Sequence, residues 1–141
     1  MVLADVNVYV AAFRFDHPDH SAARRWLEAT LASPNAFGVS ELALSAVIRI
    51  TTNPRAVKVL NQSSDVFEYV NAIRQAPQAV IVAPGPRHWE LFERLVVDAR
   101  ATGPLITDAW FAALAIEHGC EWITFDGDFA RFPGLKWRRP D

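Results

Sequence analysis

Four acidic residues stand in apolar surroundings. Asp5 lies in VLADVNVYV, Glu41 in VSELALSAV, Asp108 in LITDAWFAAL and Asp126 in WITFDGDF. A buried ionised carboxylate without a partner is very costly, so it keeps a partner, a metal or a raised pKa. Four that converge in space cannot all stay ionised without a cation. Hard oxygen donors in a crevice suit Mg²⁺ or Mn²⁺ better than zinc. Such an ion activates water and stabilises the leaving oxygen of a phosphodiester. The competing explanation is plainer: acids at helix N-termini commonly act as caps or dipole partners. Any one of the four taken alone reads that way, and only the set points to chemistry.

The elements that must position them follow from the apolar pattern. VLAD at 2–5 reads as a short buried strand, and NVYVAAF after it fits strand or helix by pattern alone. DHPDHSAARRWLEATLAS reads as a helix with Asp16 as N-cap, and SELALSAVIRITTN, 40–53, as one opened by a capping Ser. SSDVFEYVNAIRQA, 63–76, is amphipathic. AVIVA, 79–83, bounded by Pro77 and Pro84, reads as the best central strand. PRHWELFERLVVDARATG, 86–103, reads as a helix closed by Gly103. TDAWFAALAIEHG, 107–119, reads as a buried helix capped by Thr107 and stopped by Gly119. WITF, 122–125, is a further strand and LKW, 135–137, a last one. This order predicts an α/β domain with a mostly parallel sheet flanked by helices. In such sheets, sites form at the carboxyl ends of the strands. A strand that ends at Asp5 delivers its carboxylate to that crevice.

Composition bounds the rest. With 141 residues, 51% of them hydrophobic, the chain suits one domain with its own core. A single cysteine, Cys120, rules out an internal disulfide framework and fits a reducing, cytoplasmic setting. The longest wholly apolar run, AWFAALAI, is far short of the roughly 20 residues a membrane span needs, and no signal peptide is read at the N-terminus. The histidines His17, His20, His88 and His118 read as helix-surface positions, and Cys120 as a small buried residue. No Gly-rich phosphate loop or nucleophile elbow appears.

LADVNVYVAAF, SELALSAVIRI, ITDAWFAALAIEHG and TFDGDFARFPGL together resemble the four motif blocks of PIN-domain ribonucleases, in particular the VapC toxins of bacterial toxin–antitoxin pairs. The likeness covers nearly the whole chain. The resemblance implies one PIN-like three-layer domain over 1–141, with NVYVAAF helical. It implies an acidic metal site of Asp5, Glu41, Asp108 and Asp126, with Asp5 and Asp108 as direct ligands of Mg²⁺ (or Mn²⁺). Asn7, Thr107, Thr124 and Asp128 would support them. It also implies endoribonuclease activity on structured RNA, often tRNA or ribosomal RNA, leaving a 5′-phosphate. The family inhibits growth, forms homodimers, and is neutralised by a small VapB-like antitoxin. Exposed apolar surface on 40–50 and 63–73 would serve such protein contacts.

An RNA substrate is polyanionic, and the chain carries 14 Lys and Arg against 16 Asp and Glu. Setting the four site acids aside leaves 12 acids against the 14 bases. Arg14, Arg49, Arg100 and Arg131 lie near the motif blocks, although each reads more simply as a surface charge. The tail LKWRRPD offers Trp137, Arg138 and Arg139 for charge and stacking, or more simply packs its Trp and solvates its arginines. Two other readings compete. One is a PIN-like module without activity that works through a protein partner, against which stand four intact acids. The other is an aspartate-nucleophile phosphatase, which would want Asp where Asn7 stands.

Overall fold

A computed structural model describes all of residues 1–141. Five short strands form one sheet: β1 (Val2–Ala4), β2 (Phe37–Val39), β3 (Ala79–Ile81), β4 (Glu121–Ile123) and β5 (Trp137–Arg138). Their order across the sheet is β3-β2-β1-β4-β5, and every neighbouring pair is parallel. Six helices cover the faces: α1 (Val6–Phe13), α2 (His20–Ala32), α3 (Glu41–Thr51), α4 (Ser63–Arg74), α5 (His88–Ala99) and α6 (Pro104–Glu117). No helix is long and apolar enough to cross a membrane.

The central strand explains the three layers. Successive side chains of a strand point to opposite faces. Ala4 and Ile123 point into a core with α1 and α2, while Leu3 and Trp122 point into a second core with α5 and α6. β1 is buried on both faces, so it reads as an apolar run without alternation. α6 is buried over Ala109 and Phe111–Ala115, and its alanines let α5 pack close. Phe111 stacks on Trp122 at 5.5 Å between ring centres, and Phe129 closes on the same indole at 5.4 Å.

Several sequence expectations are corrected. The 79–83 run is an edge strand and not a central one; Val80 and Ile81 are exposed. β2, with a glycine at its middle, and a 3-10 turn at Gly127–Arg131 escaped the sequence reading. α2 starts at His20 with Asp19 before it, after Pro18, and Asp16 pairs with Arg14 at 2.8 Å instead of capping. α5 ends at Ala99, where Arg100 turns left-handed, and Gly103 belongs to the entry of the next helix. Pro104 takes the first position of α6, where its fixed φ and missing N–H do no harm, so Thr107 sits inside the helix and not at its cap. His88 is buried with Nε2 2.9 Å from the Trp110 carbonyl, not on the surface.

Candidate active site

β1 stops at Ala4, yet the Asp5 N–H still donates to the Ile123 carbonyl at 2.9 Å. Asp5 therefore keeps strand conformation while α1 begins at Val6. Its carboxylate lies at the carboxyl edge of the central strand, only 9% exposed. β4 ends beside it and delivers Thr124, which is wholly buried. The Thr124 hydroxyl donates to Asp5 Oδ2 at 2.7 Å. It accepts from Asn7 Nδ2 at 3.1 Å and from the Asp126 N–H at 3.0 Å. One donor and two lone pairs are thus all used. Asn7 Oδ1 in turn accepts the Phe125 N–H at 3.3 Å. This network ties the start of α1 to the end of β4 and fixes the Asp5 rotamer.

Burial pushes the Asp5 carboxyl up to about 6, although the Thr124 hydroxyl and the Val6 N–H pull it down; Asp108 and Asp126 add repulsion. Asp108 comes from the second turn of α6. Burial first, then the Asp126 and Asp128 carboxylates, push it up to about 6, with Arg131 partly offsetting. No protein hydrogen bond relieves it. Asp126 follows β4 and spends Oδ1 on the Asp128 N–H at 2.8 Å, which caps the 3-10 turn. Arg131 folds back on Asp128, with Nε 3.2 Å from its carbonyl and Nη2 3.6 Å from its carboxylate.

The Asp108 and Asp126 carboxylates therefore act on Asp5, and those of Asp126 and Asp128 act on Asp108. Glu41 is placed differently. It opens α3 after Ser40, whose hydroxyl accepts the Ala43 N–H at 3.3 Å. Its exposed carboxylate is taken by Arg74 Nε of α4 at 2.7 Å, at the head of a groove lined by Leu44, Ile48, Phe67 and Val70. Arg74 had not been singled out from the sequence, and a partner 33 residues away leaves no local signal. Thr107 is exposed on α6 and makes no hydrogen bond to the cluster.

No three acid, imidazole or thiolate groups close around a single point. The donors on offer are carboxylate oxygens, which suit a hard divalent ion. Mg²⁺ commonly takes one or two carboxylates and completes its shell with water and phosphate oxygen. Two carboxyls lifted to about 6 by burial and by neighbouring carboxylates are groups that a cation would relieve. The residues fit such an ion.

A PIN domain family model matches residues 2–135. Ribonuclease VapC25 of Mycobacterium tuberculosis is 41% identical over 140 residues, covering 99% of each chain. Ribonuclease VapC31 of the same species is 39% identical over 140 residues, again covering 99% of each. Among solved structures, VapBC2 of Rickettsia felis, bound to a DNA fragment from its promoter, matches with TM-score 0.71 at 17% identity and covers 100% of both chains. M. tuberculosis VapC20, described as a Sarcin-Ricin loop cleaving toxin, matches with TM-score 0.65 at 18% identity, over 96% of this chain and 99% of its own. At such identities the structures speak to the fold alone.

Proposed function

Because this chain belongs to the PIN domain family, among the VapC ribonucleases, we propose that it is an endoribonuclease dependent on Mg²⁺ or Mn²⁺. The observation that carries the reading is the pair Asp5 and Asp108. Both are acids held partly out of water, both are pushed up to about 6, and Asp108 has no partner in the protein. Asp5 and Asp108 would hold the metal, which when bound supplies activated water and charge neutralisation at the scissile phosphate. Thr124 keeps the Asp5 carboxylate in one orientation, and Asn7 keeps Thr124 in place. Asp126 and Asp128 complete the negative field that draws the cation in. Glu41, held by Arg74 outside the cluster, would serve as the fourth site acid only once substrate phosphate draws Arg74 away from it. Hydrolysis breaks the bond between phosphorus and the 3′-oxygen, and water supplies the oxygen of the new 5′-phosphate.

The substrate in this reading is structured RNA, either tRNA or ribosomal RNA, whose cutting would stop translation and growth in the cytoplasm. The names of the relatives as ribonucleases support the reaction type. A VapB-like antitoxin would neutralise the enzyme, and a second copy of the chain would complete a homodimer. Purified protein incubated with total tRNA and ribosomal RNA tests the core of this. Cutting in Mg²⁺ or Mn²⁺ that disappears in EDTA and in Asp5→Ala is the expected result. Equal cutting by the Asp5→Ala protein overturns the site, and no cutting of any RNA by folded, antitoxin-free protein favours a module that acts only through its partner.

A further inference from the structure

The arginines of the chain differ in what holds them. Arg14 is paired with Asp16, Arg74 with Glu41, Arg131 with Asp128 and Arg138 with Glu121. In each pair a carboxylate compensates the guanidinium. Arg139, after β5, is held by neutral groups alone. Its Nη1 donates to the Phe125 carbonyl at 2.8 Å, and its guanidinium carbon lies 5.5 Å from the centre of the Phe125 ring. One of its five N–H donors is spent in this way, and the positive charge stays uncompensated.

Its seat on Phe125 is hydrogen-bonded to the network that holds Asp5. The Phe125 N–H is bound by Asn7, Asn7 donates to Thr124, and Thr124 donates to Asp5. A relay of hydrogen bonds thus runs from Arg139 through residue 125 to Asp5, and Asp126 is the next residue in the chain. An uncompensated guanidinium fork seated on the residue before Asp126 matches the two oxygens of a phosphodiester.

We propose that Arg139, seated on Phe125, is a substrate-positioning residue that grips a phosphate of the RNA strand beside the one that is cut. The inference rests on the ribonuclease reading. The gripped phosphate is one that carries no chemistry, so its binding energy is the same before and during the reaction and shows in KM. The rival role is purely structural, with Arg139 pinning the C-terminal tail to Phe125.

Two variants separate these roles. Arg139→Gln loses the charge, whereas Arg139→Lys keeps the charge and loses the fork, so recovery by Lys reads the charge and not the seat on Phe125. Binding of a short fluorescent single-stranded RNA in EDTA, followed across salt concentration, reads the charge directly. Arg139→Gln is expected to bind about tenfold more weakly, with the salt slope reduced by ~0.7, and Arg139→Lys to recover most of the slope. In metal-supported cleavage Arg139→Gln raises KM about tenfold and leaves kcat within about twofold. If the wild type cuts RNA and Arg139→Gln matches it in slope and KM, the inference falls and the ribonuclease reading stands. If the wild type neither binds nor cuts, both fall.

Discussion

Asp5 is kept in a costly environment, and its stability consequence is measurable. Its carboxyl is pushed from 3.8 up to about 6 by burial first. Below about pH 4, folded and unfolded chains both hold the proton and the site costs nothing extra. Between about pH 4 and 6 the unfolded chain releases its proton first, so folding loses stability as the pH rises. Above about pH 6 the loss is complete, about 3 kcal/mol for a shift of this size. Asp5→Asn, which still accepts from Thr124, is therefore expected to melt several degrees above the metal-free wild type at pH 7. The gap should close as the pH falls toward 4; a gap independent of pH would refute the burial account. Thr124 makes a second prediction. Thr124→Val keeps the shape but strands the Asn7 amide and the Asp126 N–H, and should cost about 2–3 kcal/mol in urea denaturation. Thr124→Ser keeps all three hydrogen bonds and should stay within about 1 kcal/mol. The acids themselves were legible in the sequence, because a carboxylate among apolar residues demands an explanation. The Arg74 partner of Glu41 was not, because it depends on how α3 meets α4.

At the scale of elements, the sequence showed most helices and hid one strand. β2 is three residues with Gly38 in the middle, which is weak strand chemistry. The reason for the glycine is tertiary. A Cβ there would lie 2.9 Å from Val82 Cγ2 and 3.3 Å from Leu3 Cδ1. Gly38→Ala should therefore cost about 1–3 kcal/mol in urea denaturation, more than an alanine ordinarily does in a strand; an unchanged midpoint would show that Val82 moves aside freely. The 79–83 run looked central because it is rich in valine and isoleucine. Hydrophobicity says a segment fits a sheet and not where in the sheet it pairs, and the VLA of β1 holds the centre because strands flank it on both sides. α6 began three residues before its expected cap, since Pro104 and Gly103 start a helix as well as Thr107 would. That shift moved Asp108 out of the first turn, so burial and neighbouring carboxylates, not the helix end, govern its charge. A loop staple shows the same dependence on fold. Glu117 accepts the Gly85 and Arg87 N–H groups at 2.8 and 3.0 Å, and Glu117→Ala should speed hydrogen exchange across 83–87 without touching the acidic cluster.

Over the whole molecule, the acidic cluster predicts how the protein should answer a cation. Mg²⁺ added at pH 7 should raise the melting temperature, EDTA should reverse it, and Asp108→Asn should abolish most of the gain; an equal gain in the variant would place the ion elsewhere. The order of the sheet has a further consequence, for the way the chain is made. Synthesis delivers β1 and Asp5 first, but the Thr124 that orients Asp5 follows 119 residues later, and β4, the other neighbour of β1, is nearly the last strand to emerge. Until then the first strand has only β2 and β3 on one side, and Asp5 faces an open edge with no hydroxyl, no Asp126 and no Arg139. A nascent chain therefore carries an incomplete site until β4 has emerged. If the finished enzyme cuts the RNA of the translation machinery, the ribosome that makes it is exposed only after β4 has joined the sheet.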